Sequence, residues 1–284
     1  MESPIKTLPK LKKRKNVKYD ICYLKNKNPN EKDEDIIFIE KEHEYRVRGD
    51  VYMSVTTFIG TLFDKFDSDK IIKDILENEK MKNPKYEYYN MSKKDILKKW
   101  SESTNLGTKL HADIENFYNL ISIKNDSTES NKHDFTIDNN SVEWTYFMNF
   151  YNDHKKNLDP YRTEFRIYSE KVKISGTIDM LFLKKIEDGK IYVDIYDWKR
   201  AKSIYMGPST TKPKEKLISN MNDNNYEHYS LQLNLYKYIL ESEYNFVVEE
   251  MHLVVFHPYN DNYQKIKVRN LQKEIIGLIE KLRM

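Results

Sequence analysis

ISGTIDMLFLKKIEDGKIYVDIYDWK, residues 174–199, decides how the rest of the chain is read, because two apolar runs flank a Gly-containing turn and carry three ionisable groups. The first run alternates Ile174, Gly176, Ile178, Met180 and Phe182 against Ser175, Thr177, Asp179 and Leu181. The second is rich in β-branched and aromatic residues, Ile191, Tyr192, Val193, Ile195, Tyr196 and Trp198. Both patterns predict strands. Glu187-Asp188-Gly189 fits a three-residue hairpin loop with Gly189 in the left-handed conformation. Ile186 then faces Lys190, Asp179 lies opposite Asp197, and Lys199 projects from the same face two residues on. A two-residue Asp-Gly loop would instead put Asp179 and Asp197 on opposite faces, because side chains alternate with period two, unless a bulge restored the register. A carboxylate inside an apolar strand carries a desolvation cost unless it is paired or holds a metal, so Asp179, Asp197 and Lys199 read as a working site. Asp194, on the opposite parity, and Asp188, in the turn, read as ordinary.

The chain has 284 residues, enough for one substantial core, and no repeat or long linker forces a division. We expect a basic arm without structure over 1–16, containing the run KLKKRK from Lys10 to Lys15, and one domain over 17–284. Within it, 17–104 is an N-terminal elaboration and 105–284 the catalytic core. Charged residues make up 33% but balance to a net charge of +3, so total charge does not select a partner. The single cysteine, Cys22, excludes an internal disulfide and any multi-cysteine metal site and points to a reducing compartment. No run approaches the roughly 18 apolar residues of a membrane span, and the first residues lack a secretory apolar region. The expectation is an intracellular protein, cytoplasmic or nuclear, with the basic run as a candidate import signal.

Around the hairpin, residues 36–53 predict a small antiparallel sheet with turns near Lys41 and Gly49-Asp50. Ser54 caps a helix, a second begins near Ser68, and Ser92 caps a third that reaches Trp100. After Asn105-Leu106-Gly107, Thr108 to Ile121 predicts a separate amphipathic helix on which His111 and Glu115 share a face. Residues 122–139 are polar and read as a loop in which His133 is incidental. A helix over Val142 to Tyr151 and a strand over Arg162 to Ser169 follow, the strand carrying Glu164 and Arg166 on one face and neighbouring the hairpin. Residues 203–225 form a long irregular loop, functional or mobile. Tyr229 to Leu240 predicts a helix with Gln232 and Tyr236 on one face, followed by a buried strand from Phe246, a short strand near Ile266 and a closing helix from about Leu271.

Gly107 and His111 on a helix, Glu164 on a strand, Gly176 with Asp179, then Asp197 with Lys199, then Gln232 and Tyr236 on a helix, come in an order that resembles the PD-(D/E)XK nucleases, specifically the RecB-like exonuclease branch. Upstream, HEYRVRGDVYMSVTTFIG is similar to the opening of phage and large-DNA-virus members, and the mitochondrial genome maintenance exonuclease has a similar arrangement. Asp-x-Lys alone is common; five elements in order are more specific. Ile178 stands where the name of the superfamily puts Pro, and the second acidic residue is Asp197 rather than Glu. Glu164 rests on its position before the hairpin.

The resemblance implies an α/β fold with a restriction-endonuclease-like core, a mixed central sheet flanked by helices, plus the small N-terminal sheet and helical elaboration. It implies a metal-dependent nuclease, an exonuclease in DNA replication, repair or recombination, acting on single- or double-stranded ends. Asp179, Asp197, the backbone carbonyl of Trp198 and His111 would hold one or two Mg²⁺ or Mn²⁺ ions, with Glu164 ligating or orienting, and the imidazole leans toward Mn²⁺. Lys199 would orient the attacking water; an ammonium between carboxylates stays cationic, so positioning is its role. Gln232 and Tyr236 would line the site against DNA. Arg200, Lys202, Lys212, Lys214 and Lys216 are candidates to track phosphates, and Tyr205 to stack a base. Alternatives are a structure-specific or RNA-cleaving endonuclease and a catalytically idle nucleic-acid-binding module. A helicase or homo-oligomer is an open partner.

Overall fold

The computed structural model describes residues 22–126 and 137–283. The expected basic arm, and the centre of the polar loop with His133, lie outside the described residues. Among the described residues the chain is α/β, with a mixed central sheet flanked by helices. Its elements are α1 (Tyr23–Lys27), β1 (Ile36–Ile39), β2 (Glu44–Val47), β3 (Asp50–Ser54), α2 (Val55–Thr61), α3 (Ser68–Glu77), α4 (Lys93–Asp126), α5 (Val142–His154), β4 (Asp159–Ser169), β5 (Ile174–Glu187), β6 (Lys190–Lys199), α6 (Asn225–Glu243), β7 (Phe246–Val255), β8 (Gln264–Lys267) and α7 (Gln272–Leu282). The strand order is β1-β2-β3-β5-β6-β7-β8, with β4 paired to β5. β3 joins β5 in parallel through Met53 and Ser54, β6 and β7 are parallel, and the remaining pairs are antiparallel. The small N-terminal meander is therefore part of the main sheet.

The sheet separates two cores. On one face α2, α6 and α7 pack Phe58, Ile59, Leu231, Leu235, Ile239 and Ile275 against Ile178, Leu181, Val193, Ile195 and Leu253. On the other, α1, α4 and α5 pack Leu24, Leu110, Ile114, Tyr118, Phe147 and Phe150 against Met180, Phe182, Tyr196 and Trp198. Helix starts follow their capping residues. Ser54 accepts the Thr57 N–H at 3.0 Å, Ser141 that of Trp144 at 3.1 Å, and Ser92 with Asp95 forms a reciprocal pair at 3.3 and 2.9 Å.

Two expectations about helices are corrected. The chain does not break at Asn105-Leu106-Gly107; α4 is one helix of 34 residues. A mid-helix Gly costs about 1 kcal/mol relative to Ala, less than the burial of Ile96 on one half and Leu110, Ile114 and Tyr118 on the other supplies. The polar stretch after Ile121 also stays helical to Asp126, which Tyr23 Oη and Lys27 Nζ hold from α1 at 2.8 and 2.7 Å.

The hairpin turn is corrected as well. Glu187 pairs with Lys190, so the loop has two residues, with Asp188 at φ +50° and Gly189 at φ +71°. This is the doubly left-handed geometry whose twist suits a two-residue hairpin, and Asp tolerates it. The register then shifts between Leu183 and Lys185, so that Phe182 pairs with Asp194 and Met180 with Tyr196. The bulge at Lys184 undoes the effect of the shorter turn. Asp194 is more than ordinary: it is buried, lies 3.4 Å from Lys184 Nζ, and accepts the Glu250 N–H at 3.0 Å where the β6–β7 register also shifts. Replacing Asp188 with Val should cost about 1–2 kcal/mol in urea unfolding, the penalty of a left-handed β-branched residue, while Asp188→Gly should be close to neutral.

Candidate metal centre

Strand β5 forks. Along one edge β4 accompanies it from Ile174 to Leu183, whereas on the other β3 reaches only Ser175 and β6 begins at Met180. Residues 176–179 lie between these ladders. Side-chain alternation slips there too: Ile174 and Ile178 face α6, and so does Leu181, while Met180 and Phe182 enter the aromatic core. The strict alternation expected for this run therefore fails at Asp179. Its Oδ2 accepts the Trp198 N–H at 2.8 Å, so a carboxylate takes the place of a ladder carbonyl.

Three more groups meet at the fork. His111 arrives from α4 with Nδ1 3.5 Å from Asp179 Oδ2. Glu164 sits on β4 between the Thr163–Met180 and Phe165–Ile178 pairs, hence across from Asp179, and has φ +44°. That left-handed value breaks the face expected to be shared with Arg166, and in a Glu it costs on the order of 1–3 kcal/mol. His111, Glu164 and Asp179 each present a ligand atom, all within 4.8 Å of one another. Asp197, 2% exposed, places Oδ2 2.6 Å from Lys199 Nζ. That contact is a charge-assisted pairing of a buried carboxylate with the ammonium.

The electrostatics are those of crowded carboxylates. Burial, with the charges of Asp179 and Glu115, pushes the Glu164 carboxyl up to about 9, against the pull of Arg166. Burial also pushes Asp197 up to about 6, with Asp179 adding to the rise and Lys199 opposing it. For Lys199, burial works downward but Asp197 and Asp179 outweigh it, and its pKa is raised, so the ammonium is retained. A divalent cation fits this donor set: one imidazole and two carboxylates within reach of a common point, with a third carboxylate, Asp197, beside them on Lys199.

Gln232 and Tyr236 are both near, yet Tyr236 is a packing residue as well. Its ring lies against Gly176, where an added Cβ would stand 2.6 Å from Cε1, and its hydroxyl receives the Gln232 Nε2 donor at 3.0 Å. Arg200 is committed inward, donating to Glu143 Oε1 at 2.7 Å and Ser103 Oγ at 3.0 Å. Lys202 pairs with Glu87. Tyr205 is exposed, with its hydroxyl on the Pro208 carbonyl at 3.0 Å. The Trp198 indole lies stacked in the aromatic core, leaving its peptide alone to face the fork. Sequence reasoning passed over Tyr45, whose hydroxyl meets Thr177 Oγ1 at 2.8 Å, and Tyr229, whose ring lies 4.5 Å from Lys199 Nζ. The alternation of HEYRV turns Tyr45 inward; nothing local says that inward means this site.

No protein-family model and no curated protein matches the chain. The solved structure of SSO0001 is similar over 81% of this chain and 73% of its own, at 14% identity and a TM-score of 0.31, too loose a likeness to carry an argument. Gly176→Ala should cost about 1–3 kcal/mol in urea unfolding by forcing the Tyr236 ring to move. Combined with Tyr236→Leu the loss should be well below the sum, whereas additive losses would show that the ring is not what Gly176 accommodates.

Proposed function

We propose that the chain is a metal-dependent nuclease hydrolysing DNA phosphodiester bonds, with the restriction-endonuclease-like core of the PD-(D/E)XK superfamily and the RecB-like exonuclease branch as its place within it. The observation that carries this reading is the meeting of His111, Glu164 and Asp179 within 4.8 Å at the fork, beside the Asp197–Lys199 pair. Those residue types, drawn from α4, β4, β5 and β6, are the set that the sequence motif brings forward.

His111, Asp179 and Asp197 would hold Mg²⁺ or Mn²⁺, with Glu164 and the Trp198 carbonyl completing the set. When bound, the ion supplies Lewis acidity toward a phosphoryl oxygen and lowers the pKa of water. The chain's own groups do the rest. Lys199, held cationic by Asp197 and Asp179, presents N–H donors beside the carboxylates and orients a water for attack on phosphorus while balancing charge that develops there. Its ammonium is fixed from the other side by the Tyr229 ring. Tyr45 and Thr177 wall the site and hold the β5 segment in place.

End-labelled linear and circular DNA, with Mg²⁺ or Mn²⁺, tests the reading: linear strands should be degraded from an end and circles spared. Asp197→Asn and Lys199→Ala should each lower the rate roughly 10²–10⁴-fold with an unchanged circular dichroism spectrum. His111→Ala should weaken Mn²⁺ binding in calorimetry by on the order of tenfold or more. Undiminished cleavage by both first variants would sink the proposal, and absence of any Mn²⁺ binding would favour an idle binding module.

A further inference from the structure

Strands carry their side chains alternately to one face and the other, so residues two apart share a face. At the level of the fork β4 and β5 break this rule in step. On β4, Thr163 turns to α4, where its Oγ1 receives the Asn119 Nδ2 donor at 3.0 Å. Phe165, two residues on, is buried in the opposite core, where its ring meets those of Tyr244 and Phe246. Their partners on β5 follow them: Met180, paired with Thr163, enters the core beneath α4 and α5, and Ile178, paired with Phe165, enters the core beneath α6. The change of face falls on Glu164 in one strand and on Asp179 in the other, the two carboxylates that meet His111. In β4 the backbone absorbs it at a single residue, Glu164, with φ +44°.

Such a backbone persists only while both of its sides are held. Phe165 is held by the burial of its ring, which says nothing about the direction Thr163 takes. The restraint on Thr163 is Asn119. That side chain is fully buried and its amide is committed at both ends: Oδ1 accepts the Leu24 N–H of α1 at 2.9 Å, while Nδ2 donates to the Glu115 carbonyl at 2.9 Å as well as to the Thr163 hydroxyl. Turning the amide away would leave the Leu24 donor buried without an acceptor, so its orientation is fixed. Asn119 also stands in line with the site. His111, Glu115 and Asn119 are each four apart and form one stripe along α4. The first approaches Asp179, the second lines the same depression as Glu164, and the third grips the residue before Glu164.

We infer that Asn119 is a positioning residue for the candidate metal centre: through Thr163 it holds the Glu164 backbone left-handed and so delivers that carboxylate to the point shared by His111 and Asp179. The inference rests on the nuclease reading and deepens it, because it names what sets the place of one ligand. Asn119 acts only through Thr163 and Glu164. With Thr163 released, β4 can return to a regular extended backbone, and the carboxylate leaves the cluster.

The test cuts the link at Thr163, since Asn119 itself is too deeply bonded to remove safely. Thr163→Val deletes the hydroxyl and keeps the shape, and Asn119 Nδ2 retains the Glu115 carbonyl, so the full chain should still fold; Thr163→Ser keeps the hydroxyl. In calorimetry, Thr163→Val should weaken Mn²⁺ binding roughly tenfold and Thr163→Ser by less than about twofold. Combined with Glu164→Gln, Thr163→Val should weaken it no further, because the group being positioned is already gone. Urea unfolding in EDTA reads the backbone without any metal. Gly is favoured over Ala at a left-handed position and disfavoured in a regular strand, so Glu164→Gly should be more stable than Glu164→Ala, and adding Thr163→Val to both should reverse that order. Mn²⁺ binding by Thr163→Val equal to wild type, an equal further loss on top of Glu164→Gln, or the same order of the Gly and Ala variants with and without Thr163→Val each overturns the inference. Failure of the nuclease reading looks different: the wild-type protein would bind no Mn²⁺, or bind it and cleave no DNA, while the order in urea still reverses.

Discussion

The Asp179 carboxylate and the Trp198 N–H hold the fork of the sheet together, and the candidate site is built on that one bond. Where β6 leaves β5 the ladder ends among buried residues, and a peptide donor left there without an acceptor would cost about 1–3 kcal/mol. Asp179 Oδ2 supplies the acceptor at 2.8 Å. The same oxygen lies 3.5 Å from His111 Nδ1, so the group that closes the sheet is also the group that meets α4. A sheet continuing in regular register would have no room for a carboxylate cluster at this point. The fork creates the room, and the side chain that bridges it is itself a member of the cluster.

Two unfavourable features coincide there. Glu164 is held left-handed, and its carboxyl and that of Asp197 are pushed upward by burial and by each other's neighbours. Neither would persist without over-determination by what surrounds it. The surroundings supply it: β4 and β5 pair on both sides of Glu164, and behind β6 the Trp198 indole stacks on Tyr118 and meets Phe147 and Phe150 edge-on. Strain of this kind at a rigid place is the pattern expected of a site prepared for a ligand, because a cation that neutralises the carboxylates removes the electrostatic part of the cost.

Much of this was legible in the sequence, though not always for the reason first given. The α/β class, the strands, and the caps at Ser54 and Ser92 follow from local periodicity and local hydrogen bonding. The turn did not. A two-residue Asp-Gly loop and a bulge at Lys184 together bring Met180 opposite Tyr196, the register that a three-residue loop alone would produce, up to the point where β6 leaves β5. Period-two reasoning cannot separate one irregularity from two that cancel, because only the net register reaches the distant residues. The continuous α4 was hidden by Gly107, where a propensity of about 1 kcal/mol was read as a break although burial on both flanks outweighs it. Arg200 and Lys202 pair with Glu143 and Glu87, partners too far away in sequence for local charge patterning to foresee.

The site also disregards the boundary between elaboration and core that the sequence suggested. Helix α4 runs through residue 105 without interruption, carrying Trp100 and His111 on one rigid rod. Tyr45 reaches from the N-terminal meander to Thr177, two residues before Asp179, and β3 pairs with β5 at Met53 and Ser54. Anything that loosens the meander therefore reaches the fork through a hydrogen bond and a two-residue ladder, and what loosens the first half of α4 reaches His111 through the helix itself. The N-terminal third is thus a wall of the candidate site, and its positional precision limits that of the carboxylates behind it.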